Sequence, residues 1–503
     1  VTPDIAREKT QPCPECGTEI RGDSRFAVWC AACDWNVDPE EPRPDTGRLD
    51  RAERALARRH GEQLLAEMRS GREPRPRRDA SAVTATALAL TVHAVTFAFA
   101  VGGVWCVVAG WGGPGMVAGL VLVVLAWALA PRVRRLPDDR PVLLRADAPE
   151  LFALVDEVAQ AVGTRGVHAI AVDGSINAGV RTYGVRGRRL LVLGMPLWEV
   201  LTPEERIALL GHELAHYANG DTRNGLVVGT AVRTLSLWHH TLRPLPHPCA
   251  IETAVNALYV VPRLLVRGVL VVLVRLTSRA GMRAEYLADR LAARTASTQA
   301  AVGLMDRLLI SGSLGVLLRN EANRAALGGS RSAREATARA DELWGLLTAF
   351  AASVPEHEYE RQRRAGALRG HQVDATHPPT HLRRACLLVG EPVAAAVVPQ
   401  ARRTERIPRN LPRPALRWPG ACCATVSRTE PSRAAPAASE LPVHRHGTYQ
   451  TRSPRACTLQ CPPRIRAPAD DTQVHFLRAS AVACLVLPRW LGTRGVLAAD
   501  LCV

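Results

Sequence analysis

The chain is almost without lysine. Lys9 stands alone among 503 residues, so nearly all of the 64 basic side chains are arginines, against 47 acidic ones and a formal net charge of +17. With Ala, Val, Gly and Pro also abundant, this bias resembles GC-rich coding, which weakens any reading of the charge as a nucleic-acid footprint. Roughly half of the surplus falls after residue 390, in a Pro/Arg-rich stretch, so it is not one designed patch. Residues 1–12 are polar and lack the apolar core of a secretory leader. The 13 cysteines lack the spacing of a disulfide framework: four form two CxxC pairs and most of the others are scattered singly. Charge itself is missing from Ser81 to Ala130.

What is present begins with Cys13, Cys16, Cys30 and Cys33. Two CxxC pairs across a hairpin-like insert have the spacing of a four-thiolate zinc ribbon. Four thiolates close a tetrahedral shell, so the zinc expected there is structural, and such a site belongs to a reducing compartment. A redox CxxC is disfavoured because no βαβ pattern surrounds either pair. The ribbon is assigned to 1–40 and a charged, Arg/Pro-rich linker to 41–80.

The uncharged run at 81–131 is broken by Gly110-Trp111-Gly112-Gly113-Pro114-Gly115. Each half is expected to be long enough to cross a hydrocarbon core as a helix. Basic flanks on both sides (Arg72, Arg75, Arg77 and Arg78 before, Arg132, Arg134 and Arg135 after) place both ends of this transmembrane hairpin in the cytoplasm. A helix is expected from Asp147 to about Val162, then strands at 167–172, 178–183 and 190–193 between Gly and Asp turns. A second apolar pair near 224–276 is interrupted by Arg233, Arg263, Arg267 and Arg275, so spanning and interfacial helices are both open. Residues 391–503 lose periodicity and are expected to be a disordered tail.

The chemistry lies after Leu201. Thr202, Pro203 and Glu205 form a capped helix start, and Asn219-Gly220 a stop, around His212-Glu213-Leu214-Ala215-His216. Residues at i and i+4 share a helical face, so both imidazoles can reach one zinc ion, while Glu213 projects beside it as the carboxylate for a water. Downstream, Glu285 and Asp289 are again four apart in Arg283-Ala284-Glu285-Tyr286-Leu287-Ala288-Asp289. One carboxylate can bind the metal while the other accepts a hydrogen bond from a ligand histidine. Two histidines and one carboxylate leave the fourth position open, the condition for a catalytic rather than a structural zinc.

The combination HELAH, Asn219-Gly220-Asp221, an apolar pair and RAEYLAD resembles the HtpX-like membrane zinc metallopeptidases, relatives of the CAAX prenyl endopeptidases. Ser175-Ile176-Asn177-Ala178 and Thr376-His377-Pro378-Pro379-Thr380 also fall where that family has them, and the resemblance covers roughly 140–390. It implies an α+β, mostly α fold: a zincin-like metallopeptidase domain with transmembrane helices, here preceded by the ribbon. It further implies zinc on His212, His216 and Glu285, Glu213 as catalytic carboxylate, and Asn177 and Ala178 beside the substrate groove; Asp289 is then the carboxylate left by the spacing to support a ligand histidine. His377 is a candidate oxyanion donor.

The expected protein is thus a multi-pass cell-membrane endopeptidase with peptidase domain and ribbon in the cytoplasm, two zinc ions, and protein substrates drawn from the bilayer. Its expected role is membrane-protein quality control. The competing readings are a membrane-tethered ribbon that binds a partner and an idle scaffold. Nucleic acid is a poor candidate, because the ribbon insert is nearly charge-balanced and carries only Phe26 and Trp29 as stacking rings.

Overall fold

The structure is a computed structural model that describes residues 8–39, 80–130, 135–219, 221–244, 249–328, 333–369 and 377–411, with a few positions between 59 and 70. Most of the expected linker at 41–80 lies outside the described residues, as do Gly220, Thr376 and 412–503. The described residues fall into two compact units. One draws on the chain up to Ala98, on Ala130–Ser236 and on Leu265 onward; the other on Phe99–Leu129 and Leu237–Leu264.

At the N-terminal end, β1 (Glu8–Pro12) pairs antiparallel with β2 (Glu19–Asp23), Pro12 opposite Glu19, and the connecting turn carries Cys13 and Cys16. The uncharged run forms α1 (Ala80–Ala109) and α2 (Pro114–Leu129), broken at the glycine-rich turn where Gly112 takes φ +76. At about 1.5 Å per residue α1 exceeds the thickness of a hydrocarbon core, whereas the shorter α2 reaches only about 24 Å. The expectation that each half suffices alone is therefore corrected for α2, which Pro114 starts late. Among the described residues α1 is the one single helix long and apolar enough to cross a membrane. Ala85, Ala89 and Thr96 form its buried stripe, and Phe97, Trp105 and Val108 remain exposed. Gly119 lets α2 approach α1 closely, since a Cβ there would lie 2.6 Å from the Gly103 carbonyl oxygen.

The mixed α/β region opens with β3 (Val142–Leu143) and α3 (Pro149–Val162), which ends on Gly163 in the left-handed region at φ +81. Then come β4 (Ala169–Asp173), β5 (Ala178–Tyr183) and β6 (Arg188–Gly194). They form one sheet in the order β3-β4-β6-β5, with β4 and β6 parallel and β5 antiparallel to β6 at the edge. The predicted helix and all three predicted strands correspond to these elements within a few residues.

Helices α4 (Met195–Val200), α5 (Pro203–Ala218) and α6 (Asp221–Thr241) follow. The apolar run beyond them forms α7 (Ala250–Leu258) and α8 (Val260–Ala296), which meet the length and hydropathy of a span only when taken together across a 43° bend. The 37-residue α8 continues without a break from that run into the Glu285–Asp289 segment. His93 of α1 lies 3.1 Å from the Val227 carbonyl oxygen and 3.2 Å from Thr230 Oγ1, a polar contact between α1 and α6.

The remainder is helical: α9 (Thr298–Leu309), α10 (Ser311–Gly328), α11 (Ala333–Ala352), α12 (Glu356–Arg369), α13 (Thr380–Leu387) and α14 (Ala401–Asn410). One hydrophobic cluster joins α3, the sheet, α4, α5, α9 and α14, with Phe152, Leu191, Trp198, Leu210, Leu304 and Ile407 among its members. Residues 391–411, expected to belong to a disordered tail, are instead folded. Val397, Ile407 and Leu411 are buried in that core, and Arg406 pairs with Glu150 at 3.2 Å. The arginine-rich composition hid three apolar positions sufficient to seat the segment.

Candidate active site

The first half of the site is built on α5. Thr202 Oγ1 accepts a hydrogen bond from the Glu205 N–H at 3.2 Å, and Glu205 Oε2 accepts one from the Thr202 N–H at 2.9 Å. This reciprocal cap fixes where the helix begins, and hence which of its residues face the core. Ile207 through Ala215 are all buried, His212 and Glu213 among them. Gly211 is where another helix comes closest, for a Cβ there would meet Ala292 Cα at 3.2 Å and Thr295 Cβ at 3.3 Å. Helices α5 and α8 therefore cross nearly backbone to backbone, one residue before the first histidine.

That crossing brings the two motifs together. His212 Nε2 lies 3.5 Å from Glu285 Oε2, and His216 Nε2 lies 3.6 Å from Glu285 Oε1. The two imidazoles stand edge to face with centroids 5.0 Å apart. One potential ligand atom from each of His212, His216 and Glu285 falls within 4.8 Å of the others. Glu213 is buried but is not one of that group. Asp289 Oδ1 lies 2.9 Å from His212 Nδ1, on the side of the ring away from Glu285. His377 brings its Nδ1 to 2.6 Å from Glu285 Oε2.

Sequence reasoning missed Arg383. From α13 its Nε and Nη2 donate to the two Asp289 oxygens at 2.8 and 2.6 Å, and it reaches within 3.9 Å of Glu285. The side chain is buried, as is Asp289. In a chain so rich in arginine, the one sequence signal that could have found it is its place six residues after His377.

These groups set one another's charge. Burial and Arg383 press the His212 imidazole towards neutrality, but hydrogen bonds to Asp289 and Glu285 outweigh them and lift it to about 10. Burial disfavours the Asp289 carboxylate, yet Arg383 and His212 hold it down at about 2. Glu285 is likewise kept well below the ordinary range, against burial, by His212 and His377. A metal ion on these ligands would take the place of the proton on His212, because a coordinating imidazole is neutral.

Residues 145–388 match the profile of Peptidase family M48. This segment belongs to peptidase family M48. No curated protein and no solved structure matches the chain. The family makes the M48 domain that of a metallopeptidase, a hydrolase of a kind that uses zinc, in keeping with the resemblance read from HELAH and RAEYLAD.

The side chains of the M48 domain fit such an ion. A tetrahedral site with bonds near 2.05 Å has ligand–ligand edges of about 3.3 Å; the two His–Glu separations of 3.5 and 3.6 Å are close to that value. Two imidazoles and one carboxylate are also the donor set of an open, catalytic centre. The four cysteines form a second candidate metal group. Cys13 and Cys33 sulfurs are 3.7 Å apart and those of Cys16 and Cys30 3.5 Å, too far for a disulfide and near the edge of about 3.8 Å for a four-thiolate zinc shell.

Asn177 and Ala178 mark the start of edge strand β5. The Ala178 N–H donates to Asn177 Oδ1, and the Gly194 N–H to the Asn177 carbonyl oxygen, both at 2.9 Å. On its far side β5 has no strand partner among the described residues. Tyr217, the residue after His216, donates its hydroxyl to the Arg181 carbonyl oxygen at 2.7 Å and so ties α5 to that strand.

Proposed function

We propose that the protein is a membrane-anchored zinc metalloendopeptidase with a zincin-like catalytic domain, in which His212, His216 and Glu285 hold the catalytic zinc. The observation that carries this reading is the convergence of those three side chains, drawn from two motifs far apart in sequence, at ligand-like separations in a buried setting.

A zinc ion held there supplies Lewis-acid activation of a water molecule and of the scissile carbonyl. Glu213 takes a proton from the attacking water and returns it to the leaving amine, the two transfers that peptide hydrolysis needs. His377 directs Nδ1–H at the Glu285 carboxylate, so its Nε2 can donate to the developing oxyanion only when the ring carries both protons. Asp289 orients His212 through Nδ1, and Arg383 holds Asp289 in turn. The free edge of β5 beginning at Asn177 and Ala178 offers backbone groups to an extended peptide substrate.

The apolar helix α1, its exposed Phe97, Trp105 and Val108, and the uncharged run it belongs to support a bilayer location. The basic flanks support a cytoplasmic face for the peptidase and the ribbon. Membrane proteins in need of turnover are the substrates such a location suggests. The test is Glu213→Gln: hydrolysis of an unstructured protein probe by detergent-solubilised protein is expected to fall at least about 100-fold with zinc content unchanged. Equal rates in the two proteins would leave the scaffold reading standing.

A further inference from the structure

We propose that the four-cysteine ribbon is an intramolecular clamp: once organised by its metal, it holds α12 against α13 and thereby fixes the His377–Arg383 segment of the active site. The consequence for turnover rests on the peptidase reading above; the clamp itself does not.

The ribbon has little core of its own. Cys13 and Cys30 pack with Ile20, Val28 and Trp35, so the four thiols and whatever they bind are the centre of the module. A module of this size depends on such a centre to fold. The turn between Cys30 and Val37 is tightly wound. Cys30 N–H donates to the Trp35 carbonyl oxygen and Asp34 N–H to that of Cys30, both at 3.0 Å, with Asp34 and Asn36 in the left-handed region at φ 60 and 55. Aspartate and asparagine are the non-glycine residues that take this region most readily, so the turn is favoured by its own sequence.

The same turn supplies the acceptors for α12. Arg361, buried and paired with Glu358, donates through Nη1 to the Val37 carbonyl oxygen at 2.8 Å. Arg364 donates to the Ala31 carbonyl oxygen at 2.8 Å and to Asp34 at 2.7 Å, with its guanidinium 5.2 Å above the Trp29 ring. Arg369 pairs with Asp38 at 2.8 and 2.5 Å. Three arginines spaced three and five apart thus engage one short stretch of the ribbon, two of them through its backbone carbonyl oxygens. Trp29 and Val37 are buried against Ala365 between them. A further hold comes from Arg25, which Asp23 orients at 2.6 Å and which donates to Ser353 Oγ at 2.7 Å. Phe26 packs on Phe350 with centroids 5.9 Å apart. Both aromatic rings of the ribbon insert are consequently spent on the peptidase domain, not displayed for a nucleic acid.

From α12 the contacts continue inward. Asp306 of α9 accepts from Arg363 of α12 at 3.4 Å and from Arg384 of α13 at 2.7 Å. Gly366 faces the His381 ring so closely that a Cβ would lie 3.1 Å from its Nδ1. Arg384 adjoins Arg383, whose hold on Asp289 supports His212. The ribbon is therefore two packed helices away from the candidate zinc ligands, and loosening the Cys30–Val37 turn removes acceptors from a buried arginine.

The experiment uses the full chain in detergent, with zinc per chain, backbone hydrogen exchange and turnover of the protein probe measured together. Two variants are compared with wild type. Cys13→Ser/Cys16→Ser removes the ribbon metal, while Arg364→Ala/Arg369→Ala keeps the metal and breaks the docking. Both are expected to speed exchange by about tenfold or more over 356–369 and 380–387 while α3 stays protected. The cysteine variant alone loses one zinc, and turnover falls in kcat rather than KM in both. Faster exchange with no turnover in wild type would uphold the clamp and reject the peptidase. The clamp is overturned if the cysteine variant loses its zinc while exchange in the two helices stays at the wild-type rate. Should α3 also lose protection in that variant, the arginine variant decides: wild-type exchange there overturns the proposal.

Discussion

Asp289 is the residue on which most of the site leans, because it stands between His212 and Arg383 and both are buried. Asp289→Asn keeps the shape but removes the charge, leaving a buried guanidinium with weaker compensation. We expect a loss of about 3–5 kcal/mol in stability, read by thermal or denaturant unfolding. A tenfold to hundredfold weaker hold on catalytic zinc is expected as well, on the scale of about one to two orders of magnitude for an outer partner of a metal ligand, read by chelator competition. Arg383→Leu should be milder in stability than Arg383→Ala, since a packed apolar replacement fills the volume that the guanidinium leaves. His377 answers to a different assay. If its Nε2 donates to the oxyanion, His377→Ala lowers kcat by about 100-fold or more with two zinc ions still bound per chain. A variant that instead loses zinc would show that His377 acts by holding Glu285, to which it is 2.6 Å away.

Among the elements, α5 has the best-specified boundary. Thr202→Ala removes one side of its reciprocal cap and leaves the Glu205 N–H without its hydroxyl acceptor, at a cost of about 1 kcal/mol. The expected result is a lower melting temperature with KM unchanged, because the ligands lie farther along the helix. Gly211→Ala is expected to be far worse. Its methyl group would press α5 away from Ala292 and Thr295, separating His212 from Glu285, so zinc content should fall before the fold is lost. Retention of full catalytic zinc in that variant would refute the close-crossing account. At the C-terminal side of the described chain, ending the protein before Ala401 removes the buried Ile407 and Leu411 together with the Arg406–Glu150 pair. The truncated protein should unfold at lower denaturant than the full chain.

For the molecule as a whole, the prediction concerns its medium. Helix α1 is long, uncharged and lined with exposed apolar side chains, so the protein should remain with the membrane fraction through high-salt and alkaline washes and leave it only in detergent. Release by salt alone would mean that the apolar helices are interfacial or buried against protein. The ribbon adds a second whole-molecule property: chelation that strips both metal groups should lower stability more than loss of the catalytic ion alone.

The sequence by itself determined the spacing of the candidate ligands and their local frame. Spacing of i and i+4 put His212 with His216 and Glu285 with Asp289; capping residues set the start of α5; glycine and aspartate turns delimited the three strands; an uncharged run marked α1. These are short-range rules that need no knowledge of the rest of the chain. Tertiary structure decided the remainder. Only the crossing of α5 and α8 at Gly211 makes one site of two motifs, and only the seating of α13 singles out Arg383 from the many other arginines. The same holds for 391–411, whose three apolar anchors have meaning only against α3 and the core, and for the ribbon, whose arginine-bound turn faces α12. In each case the physical reason is long-range: burial and partner choice depend on which surfaces meet, and composition dominated by arginine carries no record of that.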